Sequence, residues 1–483
     1  MNQVRVAVVG AGFGGLGTAI RLRRDGIDDF VVFDRADEVG GTWRDNTYPG
    51  CACDVPSHLY SYSFAPNPDW SREYSGWAEI QGYLRDCVDR FGLAPHLRLG
   101  HEVKSATWVG QWLLETSGGQ WTADVLVVAS GPFNDPALPD LPGLSSFAGR
   151  VFHSARWDHG YDLTGRRVAV VGTGASAIQF VPEIAGKVER LHLFQRTPPW
   201  ILPHLDRPIS ERRRRRFRAW PATQRLARTA IYLTMEAFGT GFLRPPVMRL
   251  AQSVARRHLA RSVPDPALRA KLTPAYTMGC KRILQSNNYY PALQRDNVEV
   301  VTDSIAEVRP EGVVTADGTV REVDAIVFGT GFHVADVRIG QHIRGRDGRL
   351  LADVWRGSPQ AYLGMTVTGF PNMFLLLGPN TGLGHTSVLL MMECQIGYVL
   401  DALRHMERHR IATVEPRAAS QRAFVSTVDE RMRRTVWLRG GCQSWYLDGT
   451  GRNSTIWPGY TWAYRWRTRR FDASAYELAR SPA

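Results

Sequence analysis

The fold is decided by the stretch Val4-Arg5-Val6-Ala7-Val8-Val9-Gly10-Ala11-Gly12-Phe13-Gly14-Gly15. Its first six residues are mostly apolar and β-branched, which predicts a buried parallel strand. The glycines then follow the spacing G-x-G-x-x-G, and a helical pattern continues to about Arg24. A second apolar run, Phe30–Phe33, completes a βαβ unit. This order of elements predicts a dinucleotide-binding α/β domain.

Each glycine of this first loop has a physical role. Gly10 permits the tight turn, Gly12 lets the backbone approach a pyrophosphate, and Gly15 permits close packing of helix on strand. The helix N-terminus attracts the pyrophosphate charge. Asp34 follows Gly10 by 24 residues, at the end of the second strand, where a carboxylate accepts hydrogen bonds from a ribose. The first site therefore indicates FAD or NAD.

A second βαβ unit begins about 162 residues later. Strand Arg167–Val171 leads into Gly172-Thr173-Gly174-Ala175-Ser176-Ala177, with the permitted alanine in third place. After the second strand, at 191–194, Arg196 stands at the offset where Asp34 stands in the first unit. A guanidinium binds a 2′-phosphate and a carboxylate repels it, so the second site indicates NADP. The alternative for Arg196 is an ordinary surface arginine.

Two dinucleotide sites in one chain indicate hydride transfer from a nicotinamide to a bound flavin. A disulfide reductase needs a redox-active cysteine pair, and Cys51-Ala52-Cys53 has the wrong spacing for one. Molecular oxygen is then the obvious acceptor of the electrons.

Two further segments carry a family resemblance. Residues 147–158 fit F-x-G-x-x-x-H-x-x-x-W-[P/D], with His153, Trp157 and Asp158 in the fixed places. Residues 40–54, from Gly-Gly-Thr-Trp through Tyr-Pro-Gly to Asp54, fit a second, longer pattern. Both segments resemble sequence patterns of the type I Baeyer–Villiger monooxygenases. The resemblance to this family extends over nearly the whole chain. On residue types alone, His153 and Trp157 also fit an interdomain packing pair.

The resemblance implies site residues. Arg282, in Cys280-Lys281-Arg282, matches the family's active-site arginine, and Asp54 matches the carboxylate that positions it. The alternatives are one arginine among many and a loop turn before Pro56. Trp445 matches a tryptophan on a mobile loop that closes over NADP, or it simply packs. The expected flavin-binding residues are Gly10, Gly12, Phe13, Gly15, Asp34, Thr42, Trp43, Asp54, Tyr60 and Val103. The expected NADP-binding residues are Gly172, Thr173, Gly174, Ala175, Ser176, Arg196, Thr197, Lys281 and Trp445.

The reaction implied is an NADPH- and O₂-dependent conversion of a ketone to an ester or lactone through a C4a-peroxyflavin, with sulfide oxidation as a side activity. Arg282 would stabilise the peroxide anion because a guanidinium stays charged. Three alternatives remain: a flavin-containing monooxygenase that oxygenates nitrogen or sulfur, a flavin reductase or NADPH oxidase that releases peroxide, and a basic nucleic-acid-binding protein.

The predicted fold class is α/β, with two Rossmann-like dinucleotide-binding domains and a helical insertion. The FAD domain is expected to be discontinuous, at 1–143 and 326–483. The NADP domain is expected at 144–207 and 276–325, interrupted by a helical segment at 208–275. The resemblance implies that this segment helps to shape the active site.

Composition sets the remaining expectations. The chain has 483 residues, 44% hydrophobic and 22% charged, which excludes a disordered chain. Its charge of +13 comes with 55 arginines and four lysines, a skew typical of coding bias rather than of a nucleic-acid partner. Five consecutive arginines at 212–216 form a solvated helix face, or a patch for nucleic acid or acidic lipid.

The six cysteines show neither C-x-x-C nor zinc-finger spacing, and no metal is expected. With no signal peptide or transmembrane run, this cysteine usage predicts a cytoplasmic protein.

Overall fold

The computed structural model describes residues 2–334 and 338–480. Its strands are β1 (Asn2–Val9), β2 (Phe30–Phe33), β3 (Leu97–Arg98), β4 (Val103–Trp108), β5 (Trp112–Thr116), β6 (Gly119–Val128), β7 (Arg150–His153), β8 (Arg167–Val171), β9 (Arg190–Phe194), β10 (Ile201–Leu202), β11 (Leu284–Gln285), β12 (Val298–Val301), β13 (Ile305–Arg309), β14 (Gly312–Thr315), β15 (Val320–Glu322), β16 (Ala325–Phe328), β17 (Ile343–Arg344), β18 (Met373–Leu375), β19 (Ile411–Pro416) and β20 (Tyr476–Arg480). Its α-helices are α1 (Phe13–Arg24), α2 (Thr42–Asp45), α3 (Trp77–Arg90), α4 (Ala177–Ala185), α5 (Glu211–Ala219), α6 (Pro221–Leu243), α7 (Pro245–Ser262), α8 (Pro266–Lys271), α9 (Tyr289–Ala292), α10 (Leu351–Trp355), α11 (Val388–His409), α12 (Ala418–Met432), α13 (Val436–Arg439) and α14 (Thr461–Arg467).

The first sheet has the strand order β17-β4-β5-β6-β1-β2-β3. Strand β1 lies in its centre and pairs in parallel with β2 and with β6. Strand β6 pairs with two strands along the same edge. Its first half pairs antiparallel with β5, and its second half pairs in parallel with β18. Strands that precede the second sheet in the chain and strands that follow it therefore form this sheet.

The second sheet has the order β12-β9-β8-β16-β7, and its strands are all parallel. Strands β8 and β9 carry the second glycine motif. The predicted boundary between residues 325 and 326 falls within β16, which pairs with β7 and β8. The second sheet thus extends to Phe328.

The prediction of an α/β fold with two Rossmann-like units and a helical insertion is confirmed. Helices α5 to α8 form the insertion, and α6, α7 and α8 each begin with proline, which fits the first turn because its missing N–H is not needed there. Arg228 of α6 donates to the carbonyl oxygens of His58 (2.6 Å) and Ser61 (3.0 Å), so the insertion packs on the segment after the first glycine motif.

Across residues 2–334 and 338–480, no helix has both the length and the apolar character needed to cross a bilayer. The same residues contain no group of three or more His, Cys, Asp or Glu side chains arranged to hold a metal ion.

Candidate active site

The first glycine loop joins β1 to α1, and two of its glycines exclude a side chain. Gly10 has a φ of +106°, and a Cβ there would lie 2.6 Å from the carbonyl oxygen of Ala129. A Cβ at Gly15 would lie 1.8 Å from the carbonyl oxygen of Gly10. At Gly12 the nearest heavy atom to a Cβ would be 3.7 Å away, on Gly41. The start of α1 therefore leaves space for a pyrophosphate against its N–H groups.

Asp34 lies at the end of β2, beside this loop. Its Oδ2 accepts a hydrogen bond from the amide of Ala11 (2.8 Å), and its Oδ1 accepts one from Arg44 Nη1 (3.1 Å). The amide of His101 donates to the Asp34 carbonyl (2.8 Å), which brings the segment before Val103 to the same edge. The structure therefore places Asp34 against the glycine loop and Val103 at the start of the neighbouring β4.

Three predicted flavin-binding side chains form one aromatic cluster. Trp43 Nε1 donates to the Tyr60 hydroxyl (3.1 Å), and the centroid of the Tyr60 ring lies 5.2 Å from that of Phe13. Burial raises the pKa of Tyr60, so the hydroxyl stays neutral. Gly41 packs on Gly12, and Thr42 and Trp43 follow it at the start of α2. The cluster therefore lies next to the first glycine loop. The cluster offers an apolar wall suited to a flavin ring.

The second glycine loop repeats the geometry of the first. Gly172 has a φ of +109°, and a Cβ there would lie 2.5 Å from the carbonyl oxygen of Gly329. Gly174 and Ala175 are exposed, and Ser176 leads directly into α4. Thr173 Oγ1 donates to the carbonyl oxygen of Thr197 (3.1 Å), so the loop is fastened to the segment that carries Arg196.

Arg196 and Lys281 are two cations close enough for the charge of one to affect the pKa of the other. The pKa of Lys281 is lowered, first by burial and then by the positive charge of Arg196. Within the described chain neither side chain has a carboxylate at ion-pair distance. Two close cations without an acidic partner suit a dianion, and the 2′-phosphate of NADP is one.

Arg282 and Asp54 form a bidentate ion pair. Arg282 Nε donates to Asp54 Oδ2 (2.9 Å) and Nη2 donates to Oδ1 (2.7 Å), while Nη1 donates to the carbonyl oxygen of Leu383 (3.0 Å). Burial alone would lower the pKa of Arg282, but the negative charge of Asp54 and its hydrogen bonds with the guanidinium raise it overall. The side chain keeps 27% of its surface exposed. A fixed, permanently charged guanidinium is therefore presented to an open face.

The segment before Arg282 is bonded to the C-terminal loop by a disulfide between Cys280 and Cys442. Tyr446 follows on that loop; burial raises its pKa to about 12 and the nearby Arg282 partly offsets this rise. Trp445 is 41% exposed and its ring packs at 5.8 Å against Phe133. The structure therefore brings the loop of Trp445 to the arginine.

Sequence reasoning missed a buried contact between the insertion and the loop after β18. Glu236 of α6 lies 3.3 Å from His385 Nε2 and contacts Thr461 Oγ1. His385 stands two residues after Leu383, whose carbonyl oxygen accepts from Arg282. The insertion thus braces the loop that holds the arginine. A lone glutamate inside an apolar helix was the available signal.

The fingerprint residues His153 and Trp157 lie at a packing junction between elements. The His153 ring lies 5.8 Å from Phe332, and Trp157 packs at 5.3 Å against Phe180 of α4. Burial, with a smaller contribution from Arg156, lowers the pKa of His153 to about 4. These contacts favour the packing interpretation of the pair.

Comparison with known proteins identifies the family of this chain. Residues 3–210 match the flavin-binding monooxygenase-like family. A Baeyer–Villiger monooxygenase of Streptomyces coelicolor is 55% identical over 99% of this chain and 93% of its own length. This chain belongs to the Baeyer–Villiger monooxygenases.

Two solved structures superpose on nearly the whole chain. The cyclohexanone monooxygenase from Rhodococcus sp. Phi1 bound to NADP⁺ gives a TM-score of 0.87 at 31% identity, covering 99% of this chain and 100% of that one. OTEMO in complex with FAD and NADP gives 0.89 at 28% identity, covering 99% of both chains. This Baeyer–Villiger monooxygenase is an NADPH-dependent flavoprotein with FAD and NADP as its cofactors.

Proposed function

We propose that this enzyme inserts one oxygen atom of O₂ beside the carbonyl group of a small-molecule ketone, giving an ester or lactone. The second oxygen atom leaves as water, and NADPH supplies the two electrons. The observation that carries the proposal is the bidentate pair of Arg282 with Asp54. FAD held by the residues of the first glycine loop would, once reduced, activate O₂ for this insertion.

Arg282 serves the carbonyl chemistry as a fixed cation. Negative charge develops on oxygen during attack on a ketone, and a guanidinium stabilises that charge without losing its proton. Asp54 and the Leu383 carbonyl hold three of its nitrogens in place, so the cation needs no reorganisation when the charge forms. Oxygenation of amines or sulfides uses the substrate's own lone pair and needs no such cation, so sulfide oxidation is proposed only as a side activity.

The residues proposed to hold the cofactors are those of the two loops. FAD would lie along the first loop, with Asp34 at its ribose, the wall of Phe13, Trp43 and Tyr60 at its ring, and Thr42 and Val103 beside it. NADP would lie on Gly172 to Ser176, with Arg196, Thr197 and Lys281 at its 2′-phosphate and Trp445 closing over it. The five-part division into domains, the route of oxygen activation and a cytoplasmic location also stay predictions.

The test is an aerobic assay with ¹⁸O₂, FAD-loaded enzyme, NADPH and a panel of linear, cyclic and aryl ketones plus one thioether and one tertiary amine. We expect an ester or lactone with one ¹⁸O, formed by wild type and by Arg309→Ala, which loses only an exposed ion pair. Arg282→Ala should lose this product by about 10²–10³-fold. Only sulfoxide or N-oxide from wild type would contradict the proposal.

A further inference from the structure

The helical insertion carries an exposed apolar surface that the site does not use. Helix α6 buries one side against the protein, while Leu226, Ala230, Leu233 and Ala237 follow the spacing i, i+4, i+7, i+11 on the other. Leu226 is 69% exposed and Leu233 is 59% exposed. A surface helix of a globular protein normally presents polar side chains there.

Neighbouring helices extend this surface. On α7 the spacing i, i+3, i+7 exposes Val247, Leu250 and Val254. Helix α14 packs beside α6, since Thr461 Oγ1 donates to the Tyr232 hydroxyl (3.1 Å). We call the exposed apolar side chains of these helices, with the residue before α6, the insertion face: Trp220, Leu226, Leu233, Val247, Leu250, Val254, Trp462 and Trp466.

The insertion is strongly positive. Residues 211–271 contain fourteen arginines, one lysine and three acidic residues, of which Glu236 is buried against His385, Glu211 pairs with arginines of α5, and Asp265 caps α8. Eight of these arginines are exposed and have no carboxylate at ion-pair distance in the described chain: Arg212, Arg216, Arg225, Arg244, Arg249, Arg256, Arg257 and Arg261. Residues 461–470 add four arginines and no acid.

We propose that the insertion face docks on the surface of an anionic lipid bilayer. Leucine side chains enter the boundary between headgroups and acyl chains, tryptophan rings settle at the same depth, and arginines bind lipid phosphates. Duplex nucleic acid would engage the arginines but would leave the leucines and tryptophans in water. A lipid surface would contact both the exposed apolar side chains and the arginines. The opposite side of α6 reaches His385 beside the active-site loop, so docking would bring that loop close to apolar ketones dissolved in the bilayer.

The test is co-sedimentation of the FAD-loaded enzyme with vesicles of mixed phosphatidylcholine and phosphatidylglycerol, and with vesicles of phosphatidylcholine alone. We expect at least about tenfold tighter binding to the acidic vesicles, weakened by salt. The combined variant Leu226→Ser, Leu233→Ser and Leu250→Ser should lose at least about tenfold in this binding. Its turnover of a water-soluble ketone without vesicles should match wild type. The control Val109→Ser, on the exposed turn between β4 and β5, should bind as wild type does.

Three results would overturn the proposal. The first is equal binding to both kinds of vesicle. The second is tight binding of double-stranded DNA that the three serine substitutions leave unchanged, which would make the surface a nucleic-acid site. The third is a shift of the serine variant from dimer to monomer by analytical ultracentrifugation, which would make the insertion face a subunit interface. Circular dichroism and melting temperature establish that the serine variant is folded.

Discussion

Cys280 is disulfide-bonded to Cys442 across 162 residues of sequence. The bond joins the segment of Lys281 and Arg282 to the loop that continues to Trp445 and Tyr446. One covalent link therefore ties the lysine proposed to bind phosphate and the arginine proposed for the active site to the loop expected to close over NADP. The other four cysteines are free thiols. The cysteine usage thus no longer argues by itself for a reducing setting.

Breaking this bond should loosen the site as well as destabilise the fold. A disulfide that closes a long loop typically contributes about 2–4 kcal/mol, so Cys442→Ser should lower the melting temperature by several degrees. Dithiothreitol should lower the melting temperature of wild type to the value of Cys442→Ser. It should leave the melting temperature of Cys442→Ser unchanged. Cys394→Ser, which removes a partly buried free thiol, serves as the control. Six titratable thiols in denaturant without reductant would contradict the prediction.

Asp54→Asn should impair oxygenation while sparing reduction of the flavin. The amide removes the negative charge and turns an N–H towards a guanidinium that offers only N–H donors, so Arg282 loses its fixed orientation. We expect ester formation to fall by about tenfold or more, with more NADPH consumed per ester formed. Stopped-flow measurement of flavin reduction by NADPH without oxygen should differ little from wild type. Glu307→Gln, which breaks the exposed pair with Arg309, should change neither rate; equal ester formation by Asp54→Asn would argue against the positioning role.

Much of the fold was predictable because its signals are local. The run before Gly10 predicted β1, the arginine-rich segment predicted the helices of the insertion, and the offset of Arg196 predicted its place beside the second loop. Strands β4 and β5 were missed because their alternation is short and lies between stronger apolar runs. The Cys280–Cys442 bond was not predictable either, since six cysteines allow many pairings and sequence spacing does not select one.

The residues of the candidate site were also predictable only in part. Asp54 and Arg282 are 228 residues apart, and only the family resemblance joined them before the structure did. The contact of Glu236 with His385 had no such resemblance to support it. Such contacts depend on how the insertion packs on the loop after β18, and the lone glutamate of α6 signals a buried polar contact without identifying its partner.

The cation pair of Arg196 and Lys281 should decide the choice of nicotinamide cofactor. A charge-assisted bond to phosphate contributes about 1.5–3 kcal/mol, so Arg196→Ala or Lys281→Ala should raise the KM for NADPH about 10–100-fold. The KM for NADH should change little because NADH has no 2′-phosphate. Lys187→Ala removes an exposed lysine elsewhere and is the control. A parallel rise in both KM values would place the pair away from the 2′-phosphate.

His153 should make stability depend on pH on the acidic side. Its pKa is about 4 in the folded protein, mainly because of burial, against about 6.5 when unfolded. Between these values the unfolded chain binds a proton that the folded chain does not, so stability falls as the pH drops from about 6.5 to 4. The difference corresponds to about 3 kcal/mol.

Melting temperatures of wild type and His153→Asn at pH 7 and pH 5 test this directly. The melting temperature of the variant should fall less between pH 7 and pH 5 than that of wild type. At pH 7 it should already be lower, because the buried ring next to Phe332 is gone. His159→Asn removes an exposed histidine and should lose as much as wild type. His58, whose pKa burial and Arg213 also lower to about 4, stays in both proteins, so part of the acid sensitivity should persist. An unchanged pH dependence in His153→Asn would mean that folding does not lower the pKa of His153.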